Sequence, residues 1–194
     1  MAYTTYFDLS LRPGQADPDE APAWDRLGRV WRIIHVAGRQ AGAPFAVAFP
    51  GWMRDGFGLG PTLRVFVEDG GVADRLYDAI ERAPGIGALV NGSRVRIVPE
   101  APQSFEAYLM HRISSGISKT RKTIPTDVQQ TLRESARLRR LTQQKGLPFV
   151  RMRSSTGHGF RLVVERIAAA GDAKGVPNGY GLSRTTQVVA LPVV

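Results

Sequence analysis

Seven side chains able to handle phosphate crowd into sixteen residues of this chain. In the run LPFVRMRSSTGHGFRL, from Leu147 to Leu162, stand Arg151, Arg153, Ser154, Ser155, Thr156, His158 and Arg161. Guanidiniums pair with phosphate oxygens, hydroxyls orient a nucleophile, and an imidazole moves a proton near neutral pH. Such a set makes a poor core and a good polyanion site. The apolar residues around it, with Gly157 and Gly159 between, predict a strand, a tight turn and a second strand.

The rest of the sequence narrows the chemistry. It contains no cysteine, which removes disulfides, thiolate catalysis and cysteine-ligated zinc. Its three histidines, His35, His111 and His158, lie far apart, and no HExxH or paired-acid motif is present. No metal and no cofactor are therefore expected. Gly56, Gly58 and Gly60 lack the lysine that completes a phosphate loop and read as a connection between strands. Asp17, Asp19 and Glu20 read as a solvated loop. One polyanion chemistry needs neither metal nor thiol. RNA carries its own nucleophile, the 2′-hydroxyl, and a neutral imidazole can take its proton while arginines offset the charge that develops on phosphate. The products are a 2′,3′-cyclic phosphate and a 5′-hydroxyl. From residue types alone the base stays open between His35 and His158, while His111 beside Arg112 reads as a phosphate contact. Ser154 at a strand end could equally be a turn-former.

Charge placement supports a polyanion partner. The chain of 194 residues carries a net charge of +9. Residues 1–100 hold 11 basic and 12 acidic side chains, residues 101–153 hold 11 and 3, and residues 154–194 hold 4 and 2. Nearly all the excess thus sits in a quarter of the sequence, which is the electrostatic footprint of nucleic acid and predicts steep salt dependence. No apolar run is long enough to span a membrane and the N-terminus does not read as a secretory signal, so a cytoplasmic protein is expected.

The elements that must position these residues follow from periodicity. Alternation from Tyr3 to Leu11 predicts a strand. Trp24, Leu27, Trp31, Ile34 and Gly38 recur at helical spacing and predict an amphipathic helix over about 24–41. Strands are expected at Phe45–Phe49, Thr62–Glu68 and Val95–Val98, with a second helix through Val72, Leu76 and Ile80. The order βαββαβ is that of a ferredoxin-like domain, placed at residues 1–100 of an α+β protein. The third strand, TLRVFVE, lacks the glycine-aromatic run of a base-stacking RNA-recognition sheet. A basic C-terminal domain is placed at 101–194. In it Pro125 and Thr126 open a helix that runs to about Gln144 and ends at Gly146, with Thr126 and Gln129 as a capping box. Arg133, Arg137 and Arg140 share one face of that helix. The β-hairpin follows, then the segment Gly179-Tyr180-Gly181-Leu182-Ser183 and a last strand near Gln187–Val193.

The segments LPFVRMRS, STG, FRL, GYGLS and YFDLSLRP resemble the CRISPR-associated endoribonuclease of type I-F systems, a family that cuts repeat RNA into guide RNAs. The resemblance touches both ends and the β-hairpin. It implies a metal-independent nuclease that binds the CRISPR repeat hairpin, keeps its product and serves as a subunit of a surveillance complex with other CRISPR-associated proteins. It also implies residue roles. The general-base histidine lies on the first helix of the ferredoxin-like half, where His35 is the only histidine. Ser154 matches the serine that orients the 2′-hydroxyl, and Tyr180 a tyrosine near the active site. Ser155 and Thr156 match residues that hold RNA backbone near the cut, and Phe160 an aromatic that packs on a base. Arg112 resembles a linker arginine that reads a guanine at the base of the stem. The remaining RNA contacts are expected from Ser114, Lys119, Arg121, Lys122, Arg133, Arg137, Arg140, Arg151 and Arg153. The rival reading is a binding subunit without catalysis, which the same charge pattern would serve; the His35 and Ser154 pair favours the enzyme.

Overall fold

Alternation along the first strand builds the first sheet. The computed structural model describes residues 3–14, 21–53, 58–114, 146–154 and 157–194, with the backbone alone for 112–114. Strand β1 (Thr5–Leu11) buries Phe7, Leu9 and Leu11 and leaves Asp8 and Ser10 half-buried. It lies between β3 (Thr62–Val67) on one side and β4 (Val90–Gly92) and β5 (Arg96–Ile97) on the other, with β2 (Ala46–Ala48) outside β3. The strand order is β2-β3-β1-β4 and every pairing is antiparallel. Helix α1 (Ala23–Gln40) connects β1 to β2. Helix α2 (Gly70–Glu81) and the one-turn α3 (Ile86–Leu89) follow β3. Asp69 caps α2 by accepting the Val72 N–H at 2.8 Å. The apolar stripe of α1 buries Leu27, Trp31, Ile34 and Gly38 as its spacing predicts, whereas Trp24 in the first turn is exposed.

The expected strand at Val95–Val98 is a correction. Only Arg96 and Ile97 pair there, both exposed, and the pairing begins earlier, at Val90. Leu9 stands opposite Gly92 and Tyr6 opposite Arg96, so three residues on one strand face two on the other. The surplus residue is a bulge. Ser93 occupies it: its N–H donates to the Asp8 carbonyl at 2.8 Å, and its hydroxyl accepts the Asp8 N–H at 2.9 Å. A polar side chain thus replaces a backbone partner, which strand periodicity cannot register.

The second sheet has the order β7-β8-β6-β9, from β6 (Phe105–Ser114), β7 (Phe149–Arg153), β8 (Gly159–Ala168) and β9 (Leu191–Pro192). The β7–β8 hairpin is where sequence places it. Strand β6 is not foreseen, because FEAYLMHRIS buries three consecutive residues, Ala107, Tyr108 and Leu109, and so lacks a two-residue period. The last strand is shorter than expected. The helix expected from Pro125 to Gln144 lies outside the described residues. The α+β class holds throughout.

One hydrophobic core includes residues of both sheets. Where they meet, Trp31 packs edge-on against Phe49 at 5.3 Å, and Tyr108 lies 5.1 Å from Phe49 and 5.8 Å from Trp52. Helix α1 also covers the free edge of β7. A side chain on Gly28 would come within 2.1 Å of the Arg151 carbonyl oxygen, so only glycine permits this approach. Helix α1 is thereby common to both sheets.

Candidate active site

The site is assembled on α1 and completed by a turn near the end of the chain. Trp31 and His35 stand four residues apart, one above the other on the same helix face. Trp31 donates its indole N–H to the Tyr180 carbonyl at 2.8 Å. One turn on, the His35 Nδ1 is hydrogen-bonded to the Gly179 carbonyl. The Tyr180 ring stacks on the His35 imidazole at 4.5 Å between centroids, tilted by 26°. Phe160 of β8 meets Tyr180 edge-on at 6.2 Å. Two ring N–H groups and one stacked ring pair therefore hold the turn against the helix, and Phe160 adds a contact from β8.

The turn is rigid for local reasons. The Asn178 side-chain oxygen accepts the Tyr180 N–H at 2.8 Å and the Leu182 N–H at 3.3 Å. Its backbone receives Gly181 at 2.8 Å and donates to Leu182 at 2.9 Å. Gly181 has φ +79°, and a side chain there would strike Phe45 at 2.7 Å, so glycine is required. The Gly181 carbonyl accepts Val47 N–H of β2 at 2.9 Å, and Ser183 N–H reaches the Tyr108 carbonyl of β6 at 2.9 Å. The turn is thus stitched to both sheets.

The imidazole geometry sets a tautomer. A carbonyl oxygen only accepts, so the His35 Nδ1 carries the proton and donates. In the neutral ring, Nε2 then holds a lone pair able to take a proton. His35 is half-buried, so the ring is fixed without being sealed from solvent.

The other expected site residues fall into distinct places. Ser154 follows the last residue of β7. Its hydroxyl accepts the His158 N–H at 3.1 Å and its backbone N–H donates to the His158 carbonyl at 2.9 Å. Phe160 is buried, 6% exposed, and pairs with Met152 across the β-hairpin. Arg151 and Arg153 are exposed on β7. Arg112 and Ser114 stand opposite Leu162 and Phe160 in the β6–β8 ladder. Lys119, Arg121, Lys122, Arg133, Arg137, Arg140, Ser155 and Thr156 lie outside the described residues. His158 is exposed in the turn, while His111 is bound to the Glu165 carboxylate at 2.8 Å on the second sheet. Sequence reasoning did not single out Asn178 or the grip of Trp31. The available signals were the Asn-Gly dipeptide of a tight turn and the four-residue step from Trp31 to His35.

This geometry sits within a longer match. The sequence profile of the family described as CRISPR-associated protein (Cas_Csy4) matches residues 6–193. The chain belongs to the Cas_Csy4 family. A comparison with curated proteins found no match. Membership in Cas_Csy4 makes the protein a CRISPR-associated endoribonuclease that processes repeat RNA. It accords with the excess of basic side chains in residues 101–153 and with the resemblance carried by the β-hairpin and the Gly179–Ser183 segment. Within the Cas_Csy4 match lie both α1 and the turn that meets it. Among the described residues, no helix is long and apolar enough to cross a membrane.

Proposed function

We propose that the protein cuts precursor CRISPR RNA beside a repeat hairpin without a metal ion, using the 2′-hydroxyl of the substrate as nucleophile. His35 removes the proton from that hydroxyl through Nε2. Ser154 orients the ribose, and Tyr180 keeps the imidazole in its plane. The 2′-oxygen attacks the adjacent phosphorus, the bond to the 5′-oxygen breaks, and a 2′,3′-cyclic phosphate and a 5′-hydroxyl remain. Arg112, Ser155 and Thr156 hold the RNA near the cut. The stem is bound by the basic residues of 115–145, with the ferredoxin-like half (1–100) supplying the base and the half from 101 onward most of the RNA contacts. The product stays bound, and the protein acts as a subunit of a type I-F-like surveillance complex.

The observation that supports this reading is the tautomer of His35, held with Nδ1 against the Gly179 carbonyl and with the Tyr180 ring stacked on it. Topology adds to it. The backbone of Ser114, the last described residue of β6, stands opposite Phe160 near the tip of the β-hairpin, and the basic segment follows it in the sequence.

Two experiments test the proposal. A single 2′-deoxy substitution at the cut site is expected to stop cleavage, while wild-type RNA is cut in excess chelator; cleavage of the deoxy substrate, or loss of activity in chelator, overturns the mechanism. His35→Ala is expected to abolish cutting while hairpin affinity stays near wild type. Comparable loss of both would make His35 a structural residue.

A further inference from the structure

We infer that the outer face of the β7–β8 hairpin is a second RNA site, a ledge of Arg151, Arg153 and Arg161 that takes the single-stranded segment flanking the stem. It rests on the hairpin-binding reading above and adds a separate surface to it.

The inference starts from register. Arg151 stands directly opposite Arg161, and Arg153 opposite Gly159. Val164 N–H donates to the Pro148 carbonyl at 3.0 Å and Ser154 N–H to the His158 carbonyl at 2.9 Å. Positions 148, 150, 152 and 154 of this strand are therefore the hydrogen-bonded ones. Arg151 and Arg161 fall between, in a non-hydrogen-bonded pair, where side chains come closest, with Cα atoms about 4.5 Å apart. Like charges directly opposite each other destabilise a ladder. Among the described residues no carboxylate pairs with any of the three arginines. Glu165, further along the same strand as Arg161, is taken by His111. In the unbound protein no opposite charge offsets the pairing, and only the Phe149 ring under Arg161 compensates for it. A phosphate between the two guanidiniums turns the repulsion into charge-assisted hydrogen bonds.

Single-stranded RNA fits the ledge better than a duplex or an acidic protein. The Arg161 guanidinium lies over the Phe149 ring at 4.8 Å from its centroid, so an aromatic and a cation form one platform beside exposed Arg151 and Arg153. Unpaired bases stack on such platforms, whereas bases in a stem are already stacked on one another. The opposite face of the β-hairpin buries Val150, Met152, Phe160 and Leu162, and Phe160 is the residue that touches Tyr180. RNA on the ledge thus lies on the other side of the sheet from the His35 cluster, and holds nucleotides other than those being cut.

The test compares two RNAs: the bare repeat hairpin, and the same hairpin with a uridine extension at either end. Wild-type protein is expected to bind the extended RNA more tightly. In the Arg151→Gln/Arg161→Gln variant the ratio of the two affinities is expected to fall towards one. The salt slope for the extended RNA should drop by about 0.7, from the one single-strand phosphate that the pair holds. A thermal melt should show the variant close to wild type, since the repulsive pair is lost together with the Arg161–Phe149 contact. Arg153→Gln, which leaves that pair intact, should give a smaller fall in the same ratio. An affinity ratio unchanged in both variants overturns the ledge. So does a wild-type ratio of one, which would leave the face to an acidic protein partner. If wild-type protein binds neither RNA, the hairpin-binding reading itself fails.

Discussion

In the proposed mechanism the chemistry at His35 depends on which nitrogen holds the proton. The Gly179 carbonyl fixes that choice, and Tyr180 fixes the ring plane. The arrangement is tight enough to test with one methyl group. A side chain on Gly179 would sit 3.1 Å from His35 Cε1 and 3.4 Å from Nδ1, so the imidazole would have to shift by a few tenths of an ångström. Small displacements of a reacting group cost rate far more than stability, so Gly179→Ala should slow single-turnover cleavage by about tenfold or more. Its melting temperature and hairpin affinity should change little. An unchanged rate would mean that the ring position is not critical. The candidate histidine was nameable from sequence only through the resemblance, since an isolated histidine on a helix has no chemical signature. What assigns its tautomer is a carbonyl 144 residues away in the chain.

Among the elements, α1 has the most to do. It packs on the first sheet, covers the edge of β7 through Gly28, and presents Trp31 and His35 to the Asn178–Leu182 turn. Gly28→Ala would place a carbon 2.1 Å from the Arg151 carbonyl oxygen, a clash with backbone that no rotamer relieves. Overpacking of this kind typically costs about 1–3 kcal/mol. The expected result is a lowered unfolding midpoint in urea together with slower cleavage, because the helix that yields also carries the proposed base. Loss of stability with full activity would show that α1 can move without disturbing the site. The helix itself was readable from its 3.6-residue stripe. That its glycine abuts a strand of the other sheet was not, because periodicity shows which face is covered and not what covers it.

Across the whole molecule, two buried phenols tie stability to pH: Tyr108 where the sheets meet, and Tyr3 against Phe66 of the first sheet. Burial pushes Tyr108 well above the ordinary phenol range, aided by its hydrogen bond to the Glu106 carboxylate at 2.8 Å. Burial likewise raises Tyr3, with Glu68 adding to it. A phenol whose folded pKa lies above its unfolded value must stay neutral in the fold. The stability tied to it is complete below the unfolded value of about 10 and is lost as pH rises from there towards the folded value. Stability measured by urea unfolding should therefore fall steeply above about pH 10. Tyr108→Phe, less stable at neutral pH through its lost hydrogen bond, should show a shallower alkaline slope. Parallel slopes for the two proteins would refute the role of Tyr108.

Composition and local pattern were sufficient for the class, the concentration of positive charge and, among the described residues, most of the strands, helices α1 and α2 and the β-hairpin. Each of these depends on neighbours within a few residues, which is what periodicity, turn chemistry and charge counting report. The bulge at Ser93, strand β6 with both faces covered, and the meeting of Trp31, His35, Tyr180 and Phe160 depend on partners tens to over a hundred residues apart. The Arg151–Arg161 pair is close in sequence, two of the seven phosphate-handling side chains of the opening run, yet it becomes a repulsive contact only through the register of the β-hairpin. Sequence lists the groups able to do chemistry; long-range packing decides which of them share a surface, and hence which protons and phosphates they can reach.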